Sequence, residues 1–400
     1  MNPLLISGFG TSINVDKRKL IVTNKLKKEK LEFFPHRMNH DSIIIDGHTG
    51  SITFESLRWL VKHEVSLTLL NWNGNLLTTT LSETPRSGNL RIKQYQAYLD
   101  SKIRHEIASK ITNSKIKSTL ALCLELCRFY EIDVKLLENT IKKETDFLSI
   151  TNDSINSLMT FEGRVASVYF EQIAKIFNSI STQFKFTVRK DKSNSRNYNA
   201  SDEINALLNY GYAILESEVK KAINSVGLDY SIGFLHEITQ SRTPLVYDIQ
   251  ELFRWLIDYS IVQLLEESKL RKSDFITTEN YHIRLRENTA KLLIGKIRNN
   301  FNCKVPYKKK NFTYQNILYD NVQQLANFIS GKKKDFEFVV PKLEINRDDT
   351  ISLRDRILAL SPENRKKLGI NKSTLWYIKR NISNGKSVKI YDKILSKLEN

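Results

Sequence analysis

Hydrophobic and polar residues alternate through much of the first ninety residues, as they do in half-buried β-strands. SINVDKRKLIVTN alternates around a charged, turn-like stretch, and DSIIIDGHTGSITF has two short β-branched runs about a glycine turn. VSLTLLNWNGNLLTTTL predicts two strands joined at Asn73-Gly74, a strong hairpin signal. TFESLRWLVKHE has helical spacing instead, with Leu57, Leu60 and Val61 on one face. These patterns predict a small N-terminal β-domain over residues 1–90, which ends in the linker-like SETPRSGN at 82–89.

The spacing changes near Arg91, where apolar residues begin to recur every three or four positions. Long amphipathic segments follow to about residue 330, and the chain has only 7 prolines, which favours long helices. One polar break, RKDKSNSRNYNASDE at 189–203, predicts a mobile loop. We therefore predict a large all-α domain over residues 91–335 and an α+β fold for the chain.

Four short helical patterns follow a second break at residues 330–349. They are SLRDRILAL, SPENRKKL, NKSTLWYIKRNIS and SVKIYDKILSKL, the second with Ser361 as N-cap, Pro362 next and Gly369 at its end. A short helix, a glycine turn and a basic helix are typical of a helix-turn-helix DNA-binding domain, predicted here at residues 341–400. The alternative is a helical cap with a solvated basic face. In the third helix the residues predicted to contact DNA are Lys372, Ser373, Thr374, Tyr377, Lys379 and Arg380.

The 400 residues include 62 Lys and Arg against 44 Asp and Glu, a net charge of +18. Residues 261–400 hold 29 basic and 15 acidic residues, so +14 of that charge lies there. Such a charge attracts polyanions, and we expect nucleic acid rather than a membrane as the partner. No apolar run approaches the ~20 residues that span a bilayer, and the first ten residues lack a signal-peptide pattern. We therefore expect a cytoplasmic protein that is nucleoid-associated when DNA is bound.

Two carboxylates stand among apolar residues in PLVYDIQELF, where Asp248 and Glu251 are three positions apart on a predicted helix. His236 precedes that helix across a loop that contains Pro244. Carboxylate oxygens with one imidazole and no cysteine suit a hard or borderline divalent cation, which predicts Mg²⁺ or Mn²⁺. These residues alone leave open the alternative that the histidine and the acidic pair are structural.

A further carboxylate, Glu162, stands in the apolar helix LMTFEGRVASVYFEQIAKIF, where we expect it in the first turn. No charged residue precedes it in that helix, and an unpaired carboxylate there would be costly. A metal ion or Arg164 would relieve that cost.

Other candidate metal sites are less favoured. Cys123 and Cys127 lie on one face of an apolar helix without the C-x-x-C spacing of zinc sites, and we interpret them as buried. His36, His40 and His48 have no partner cysteine, and we interpret them as surface or turn residues.

SLMTFEGRVASVYF, GLDYSIGFLHE and PLVYDIQELFR, in this order, resemble the CRISPR-associated spacer integrase (adaptation endonuclease) superfamily. That family pairs an EGxxAxxYF helix with a GLDPxxGFLHE segment and a DLxExFR helix. The resemblance extends over roughly residues 3–335 and departs from the family at Tyr230, where proline is usual, but at no ligand position.

The resemblance implies that Glu162, His236 and Glu251 bind the divalent ion, with Asp248 as a further ligand or an acid behind them. These four residues would carry metal-assisted phosphoryl transfer, in which a DNA 3′-OH attacks a phosphodiester of target DNA. Attack by water would give nuclease activity from the same site. The resemblance also implies that the β-domain mediates dimerisation, and that a homodimer or higher homo-oligomer acts on DNA.

The added tail is similar to that of casposases, the transposases of self-synthesising mobile elements, and would read double-stranded DNA at element ends or target. The alternatives are a CRISPR adaptation integrase, a stand-alone relative, a non-catalytic DNA-binding protein and a nuclease for branched DNA. For Arg254 an ion pair with Glu251 is the alternative to a phosphate contact, and for the lysines of YKKKNFTY the alternative is a solvated loop. The core residues predicted to contact DNA are Arg164, Arg242, Arg254, Lys308, Lys309 and Lys310.

Overall fold

The computed structural model describes residues 1–7, 10–47, 49–71, 73–81, 85, 87–130, 134–150, 154–180, 183–186, 189, 200, 202–238, 243–268, 270–278, 282–341, 365 and 370–383, the side chains at 127–129, 146–150 and 381–383 excepted. The chain divides into two compact units, Met1–Leu343 and Glu344–Asn400. The predicted loop at 189–203 lies largely outside the described residues, so its mobility stays a prediction.

The N-terminal part of the chain forms β-strands that assemble into two sheets of four. The strands are β1 (Pro3–Ser7), β2 (Thr11–Asp16), β3 (Lys19–Asn24), β4 (Glu29–Phe33), β5 (Ser42–Asp46), β6 (Gly50–Ile52), β7 (Ser66–Leu70) and β8 (Leu76–Thr79). One sheet has the order β1-β5-β7-β8 and the other β4-β3-β2-β6. The strands on either side of the predicted glycine turn, β5 and β6, therefore belong to different sheets. The hairpin predicted at Asn73-Gly74 is confirmed between β7 and β8, and Gly74 has the left-handed φ of 81° that such a turn favours.

Helix α1 (Phe54–Lys62) packs against β2 and β7 and closes the core of this part. Thr53 caps it by accepting the amide of Ser56 at 3.2 Å. The prediction that Val61 shares its buried face is wrong, because Val61 is 57% exposed. Trp59 is buried instead, and its indole N–H donates to the carbonyl of Arg18 at 2.9 Å. The fully buried centre of this core is Ile13, Leu20, Ile43 and Leu60.

The rest of the larger unit is mostly helical, which confirms the α+β prediction at this level. Its helices are α2 (Gly88–Leu99), α3 (Ser101–Tyr130), α4 (Lys135–Ile150), α5 (Ile155–Ile180), α6 (Glu203–Val226), α7 (Pro244–Gln250), α8 (Arg254–Glu267), α9 (Glu287–Asn302) and α10 (Tyr314–Ile329). The helical pattern after Arg91 breaks at Asp100, whose side chain accepts the amides of Lys102 and Ile103 at 2.9 and 3.1 Å. Asp100 therefore begins α3 as a separate helix.

The prediction that residues 91–335 are all helical is wrong, because two antiparallel hairpins interrupt the helices. They pair β9 (Phe275–Thr277) with β10 (Ile283–Leu285) and β11 (Lys304–Tyr307) with β12 (Lys310–Thr313). YKKKNFTY is thus a hairpin, with its turn residues Lys308 and Lys309 at left-handed φ values of 47° and 65°. Strands of three or four residues are too short for their alternation to stand out from a helical pattern.

Helix α6 is buried along nearly its whole length and lies at the centre of the helical part. At Gly211 it approaches α8 so closely that a Cβ atom would lie 2.4 Å from Cγ2 of Ile257. Only glycine permits this approach, which holds α8 and the turn at 251–253 against α6.

Charged and polar side chains join the sheets to the helical part. Asp46, at the end of β5, accepts from Arg284 of β10 at 3.2 Å, and Lys27 forms an ion pair with Glu287 at the start of α9. Burial and the Asp46 carboxylate raise the pKa of Tyr210, whose ring is buried on α6 beside this junction. The sheets and helices therefore belong to one compact unit.

In the smaller unit, the third predicted tail helix is confirmed as α11 (Lys372–Ser383), which buries Leu375 and Ile378. The other three predicted tail helices lie outside the described residues apart from Arg365, so the helix-turn-helix arrangement stays a prediction. Within the described chain, no helix is both long enough and apolar enough to span a membrane.

Candidate active site

Asp248 is completely buried on α7 and is surrounded by hydrogen-bond donors. It accepts the backbone amides of Phe234, Leu235 and His236 at 2.5, 3.1 and 3.0 Å, and the Nδ1 atom of His236 at 2.8 Å. Since both oxygens are occupied by these donors, Asp248 orients the imidazole rather than offering a free oxygen to a ligand.

The Asp248 carboxylate fixes the tautomer of His236. Because Asp248 Oδ1 accepts from this ring, we assign the proton to Nδ1, which leaves Nε2 with a free lone pair. Burial disfavours the imidazolium, but the hydrogen bond and the charge of Asp248 outweigh it and raise the pKa of His236 above its ordinary value.

Gly233 allows the loop before His236 to reach α7. A Cβ atom at this position would lie 2.8 Å from backbone and side-chain atoms of Pro244 and 2.9 Å from Oδ2 of Asp248. The glycine of GFLHE is therefore what lets three consecutive amides close onto one carboxylate.

Glu251 ends α7 and is only 5% exposed. Its Oε1 atom lies 3.3 Å from Nε of Arg254, and its Oε2 atom forms an ion pair with Lys115. Burial alone would raise the pKa of Glu251, but the Arg254 and Lys115 charges outweigh it and lower the pKa to about 2. Glu251 is therefore a buried carboxylate held ionised by two cations.

Glu162 lies on α5 and meets the same lysine, since its Oε1 atom also forms an ion pair with Lys115. The prediction that Glu162 is in the first turn is wrong, because α5 begins two turns earlier at Ile155. The alternative prediction, that Arg164 balances the charge of Glu162, is wrong. Arg164 pairs instead with Glu144 of α4 at 2.8 and 3.1 Å.

Lys115, on α3, is the residue of this site that the sequence analysis missed. Its ammonium joins Glu162 to Glu251, and its side chain is only 14% exposed. Burial disfavours its charge, but the two carboxylates outweigh that effect and raise the pKa of Lys115. The available signal was its spacing, four residues after the buried Ile111 and four before the buried Thr119, which puts a charge on the apolar stripe of α3.

A small cavity of about 30 Å³ opens beside these charges, room for about one water molecule or ion. Its far wall is a buried network in which Asp258 accepts from the hydroxyls of Tyr169 and Tyr212 at 2.7 and 2.6 Å. Burial raises the pKa of Asp258, and these hydroxyls limit the rise. The Tyr212 ring also contacts two guanidinium groups, those of Arg254 and Arg189, at 4.8 and 5.1 Å from its centroid.

The donor set of this site fits a divalent cation in its chemistry. Glu162 and Glu251 supply carboxylate oxygens and His236 an imidazole nitrogen, the ligands that suit Mg²⁺ or Mn²⁺. A positive group, the Lys115 ammonium, already stands between the two carboxylates. Among the described residues, no three His, Cys, Asp or Glu side chains stand close enough to hold a metal as they are. Binding of such a cation would require these side chains to move closer together and the ammonium to leave.

The residues predicted to contact DNA lie in several places. Lys308 pairs with Asp320 and lies over the Tyr307 ring, while Lys309 is exposed in the hairpin turn and Lys310 is exposed at the start of β12. Arg254 is paired with Glu251, and Arg242 lies outside the described residues. On α11 the exposed residues are Lys372, Ser373, Tyr377 and Arg380, and the half-buried ones are Thr374 and Lys379.

Of the three histidines considered as a metal site, the two described ones, His36 and His40, have different neighbours. His36 packs against His63, with ring centroids 4.8 Å apart, and Nδ1 of His40 lies 3.1 Å from the carbonyl of Asn2. His48 lies outside the described residues.

Residues 4–299 match the family model described as CRISPR associated protein Cas1. CRISPR-associated endonuclease Cas1 1 of Archaeoglobus fulgidus is 25% identical over 84% of this chain and 99% of its own length. CRISPR-associated protein Cas1 3 of Methanobrevibacter ruminantium is 31% identical over 74% of this chain and 86% of its own. Among solved structures, a casposase bound to an integration product is 35% identical, with a TM-score of 0.79 over 90% of this chain and 99% of that one.

Proposed function

The chain belongs to the Cas1 family of CRISPR-associated proteins, and on that premise we propose that it is a metal-dependent DNA integrase. It would join the 3′-OH of a donor DNA to a phosphodiester of target DNA. The observation that carries this proposal is the meeting of Glu162 and Glu251, from different helices, around one buried positive charge.

The proposed reaction is a transesterification. The donor 3′ oxygen forms a bond to the target phosphorus, and the bond from that phosphorus to the target's own 3′ oxygen breaks. The proton lost by the donor hydroxyl is matched by the proton that the leaving 3′ oxygen gains. One ester replaces another, so the reaction needs no nucleoside triphosphate.

The residues of the chain have distinct parts in this proposal. Mg²⁺ or Mn²⁺ held by Glu162, Glu251 and His236 would stabilise the charge on the phosphate and on the leaving oxygen. Asp248 holds the imidazole ring so that Nε2 stays available. Arg254 stays close to Glu251 and keeps that carboxylate ionised.

Within the family, casposon integration is the hypothesis that we favour. The similarity to the casposase structure supports it, since 35% of residues are identical over 90% of this chain. CRISPR spacer integration is the alternative, supported by relatives such as the Methanobrevibacter ruminantium protein at 31% identity. A neighbouring DNA polymerase gene with terminal inverted repeats would favour the casposon, and a CRISPR array would favour spacer integration.

The partner we propose is double-stranded DNA at element ends and target, bound by a homodimer or higher homo-oligomer. The tail would bind DNA through α11, where the exposed Lys372 and Arg380 suit the phosphate backbone and the exposed Ser373 and Tyr377 would read the bases. The exposed hairpin lysines Lys309 and Lys310 would add contacts without sequence preference.

The test is strand transfer of an oligonucleotide into a supercoiled plasmid with Mn²⁺. We expect Glu162→Ala to lower the rate by about a thousandfold or more, because one of the two carboxylates is lost. DNA binding should persist, since the basic surfaces are unchanged. Strand transfer at the wild-type rate by Glu162→Ala would rule out this site.

A nuclease is the second candidate, because the Archaeoglobus fulgidus relative is named an endonuclease. A donor that ends in a 3′-dideoxynucleotide separates the two reactions. Integration should stop with this donor, whereas a nuclease that uses water as its nucleophile should continue to cut.

A further inference from the structure

Lys115 stands where a metal ion would be expected to stand. It comes from α3, which carries none of the predicted ligands, and its ammonium pairs with both Glu162 and Glu251. Lysines are seldom buried, and this side chain is only 14% exposed. Its position therefore needs a reason beyond packing.

The charges at this point balance. Two carboxylates, Glu162 and Glu251, are matched by the cations of Lys115 and Arg254. Without Lys115 the carboxylates would repel each other in a region that water hardly reaches. A divalent cation added to this set would leave an excess of positive charge, so one of the present cations must give way.

Of the two cations, Lys115 is the one that can leave. Its ammonium is a point charge on a flexible four-carbon stem, whereas the guanidinium of Arg254 also contacts the ring of Tyr212. An ammonium released from two carboxylates cannot remain unpaired near the protein interior. The anion that arrives with the metal in the proposed reaction is a DNA phosphate.

We propose that Lys115 is a tethered counter-ion that occupies the site between Glu162 and Glu251 in the free protein, competes there with the divalent cation, and transfers to a DNA phosphate when the cation enters. This role rests on the metal dependence proposed above. It makes Lys115 a positioning residue. It also couples metal binding to DNA binding, because the cation releases Lys115 to bind a phosphate and the phosphate draws Lys115 away from the cation site.

The test is calorimetric titration of Mn²⁺ into the full-length protein without DNA. Lys115→Met removes the competing charge and should bind Mn²⁺ at least about tenfold more tightly than wild type. Lys115→Gln is a polar second variant with the same expectation, in case the methionine variant fails to fold. The matched control is Lys110→Met, on the same helix, since Lys110 also pairs with two carboxylates, Glu106 and Asp335, away from the site. It should leave Mn²⁺ affinity unchanged.

A second titration adds a duplex oligonucleotide. In wild type and in Lys110→Met the DNA should raise Mn²⁺ affinity, and in both Lys115 variants this increase should be smaller, because only the direct attraction between the cation and the phosphate remains. Without metal, the melting temperature of Lys115→Met should be lower than that of wild type. Mn²⁺ should raise the melting temperature of Lys115→Met more than that of wild type.

The outcomes separate this inference from the proposed function. Unchanged or weaker Mn²⁺ binding by both Lys115 variants, with normal binding by wild type, would overturn the counter-ion role alone. Failure of wild type and of both Lys115 variants to bind Mn²⁺, with and without the oligonucleotide, would overturn both the counter-ion role and the metal-dependent reaction.

Discussion

The two halves of the site are held together by different kinds of donor. On one side, Asp248 and His236 are fixed by backbone amides of residues 234–236. On the other, Glu162 and Glu251 are held by the side chain of Lys115. Backbone amides cannot withdraw without local unfolding, but a lysine can change rotamer within the folded protein. The half that contains Asp248 therefore suits orientation of the imidazole ring. The half that contains Glu162 and Glu251 suits exchange of one cation for another.

Removal of the carboxylate at Asp248 should have the largest effect on stability. Asp248→Ala strands three amides, two of them buried, and we expect a loss of about 3–5 kcal/mol in the free energy of unfolding. Urea denaturation measures it. Asp229→Ala is the matched control from the same loop, since Asp229 also accepts from a backbone amide, that of Ser231 at 2.9 Å, but is half-buried. The control should lose about 1 kcal/mol, because water replaces the lost acceptor.

Gly233→Ala should cause a smaller loss of stability in the half of the site that contains Asp248. The added methyl group would meet Pro244 and Asp248 at less than 3 Å, and we expect a loss of about 1–3 kcal/mol together with slower strand transfer. The control lies in the other half, where Gly163, next to Glu162, has no atom within 4 Å of a Cβ position. Gly163→Ala should be neutral or stabilise the helix by up to about 1 kcal/mol. Equal losses in both variants would argue against a difference between the halves.

The smallest effect should come from Glu162→Gln in the metal-free protein. Lys115 keeps its pairing with Glu251, and the Glu162 side chain is 23% exposed to water. We expect a loss of no more than about 1 kcal/mol, measured by the same urea denaturation. A loss as large as that of Asp248→Ala would mean that the second half is as much a part of the fold as the first.

Local patterns predicted the parts of the fold that depend on neighbours in sequence. The β7–β8 hairpin follows from Asn73-Gly74, and α1 follows from its spacing and its cap at Thr53. The two short hairpins, β9–β10 and β11–β12, were missed because they have only three or four residues per strand. The separation of β5 and β6 into two sheets depends on partners far along the chain, which no local pattern contains.

The site was predicted in part for the same reason. The sequence singled out Glu162, Asp248 and Glu251, because carboxylates among apolar residues stand out without knowledge of the fold. Lys115 was missed because one lysine in a helix with a mixed surface is ordinary until its facing helix is known. The division of labour between Asp248 and Glu251 was also hidden, since it depends on which amides the loop at Gly233 brings close.

The junction at Asp46 means that the helical part of this protein is not a transferable module. Excising residues 91–335 would leave Arg284 and Glu287 without the acidic and basic partners they have on the sheets, and would uncover Tyr210. A chimaera that takes the sheets or the helices from a homologue must therefore take the residues on both sides of this junction from the same protein. The same junction includes α6, which contacts β8 and β10, so the sheets touch the helix against which α8 packs.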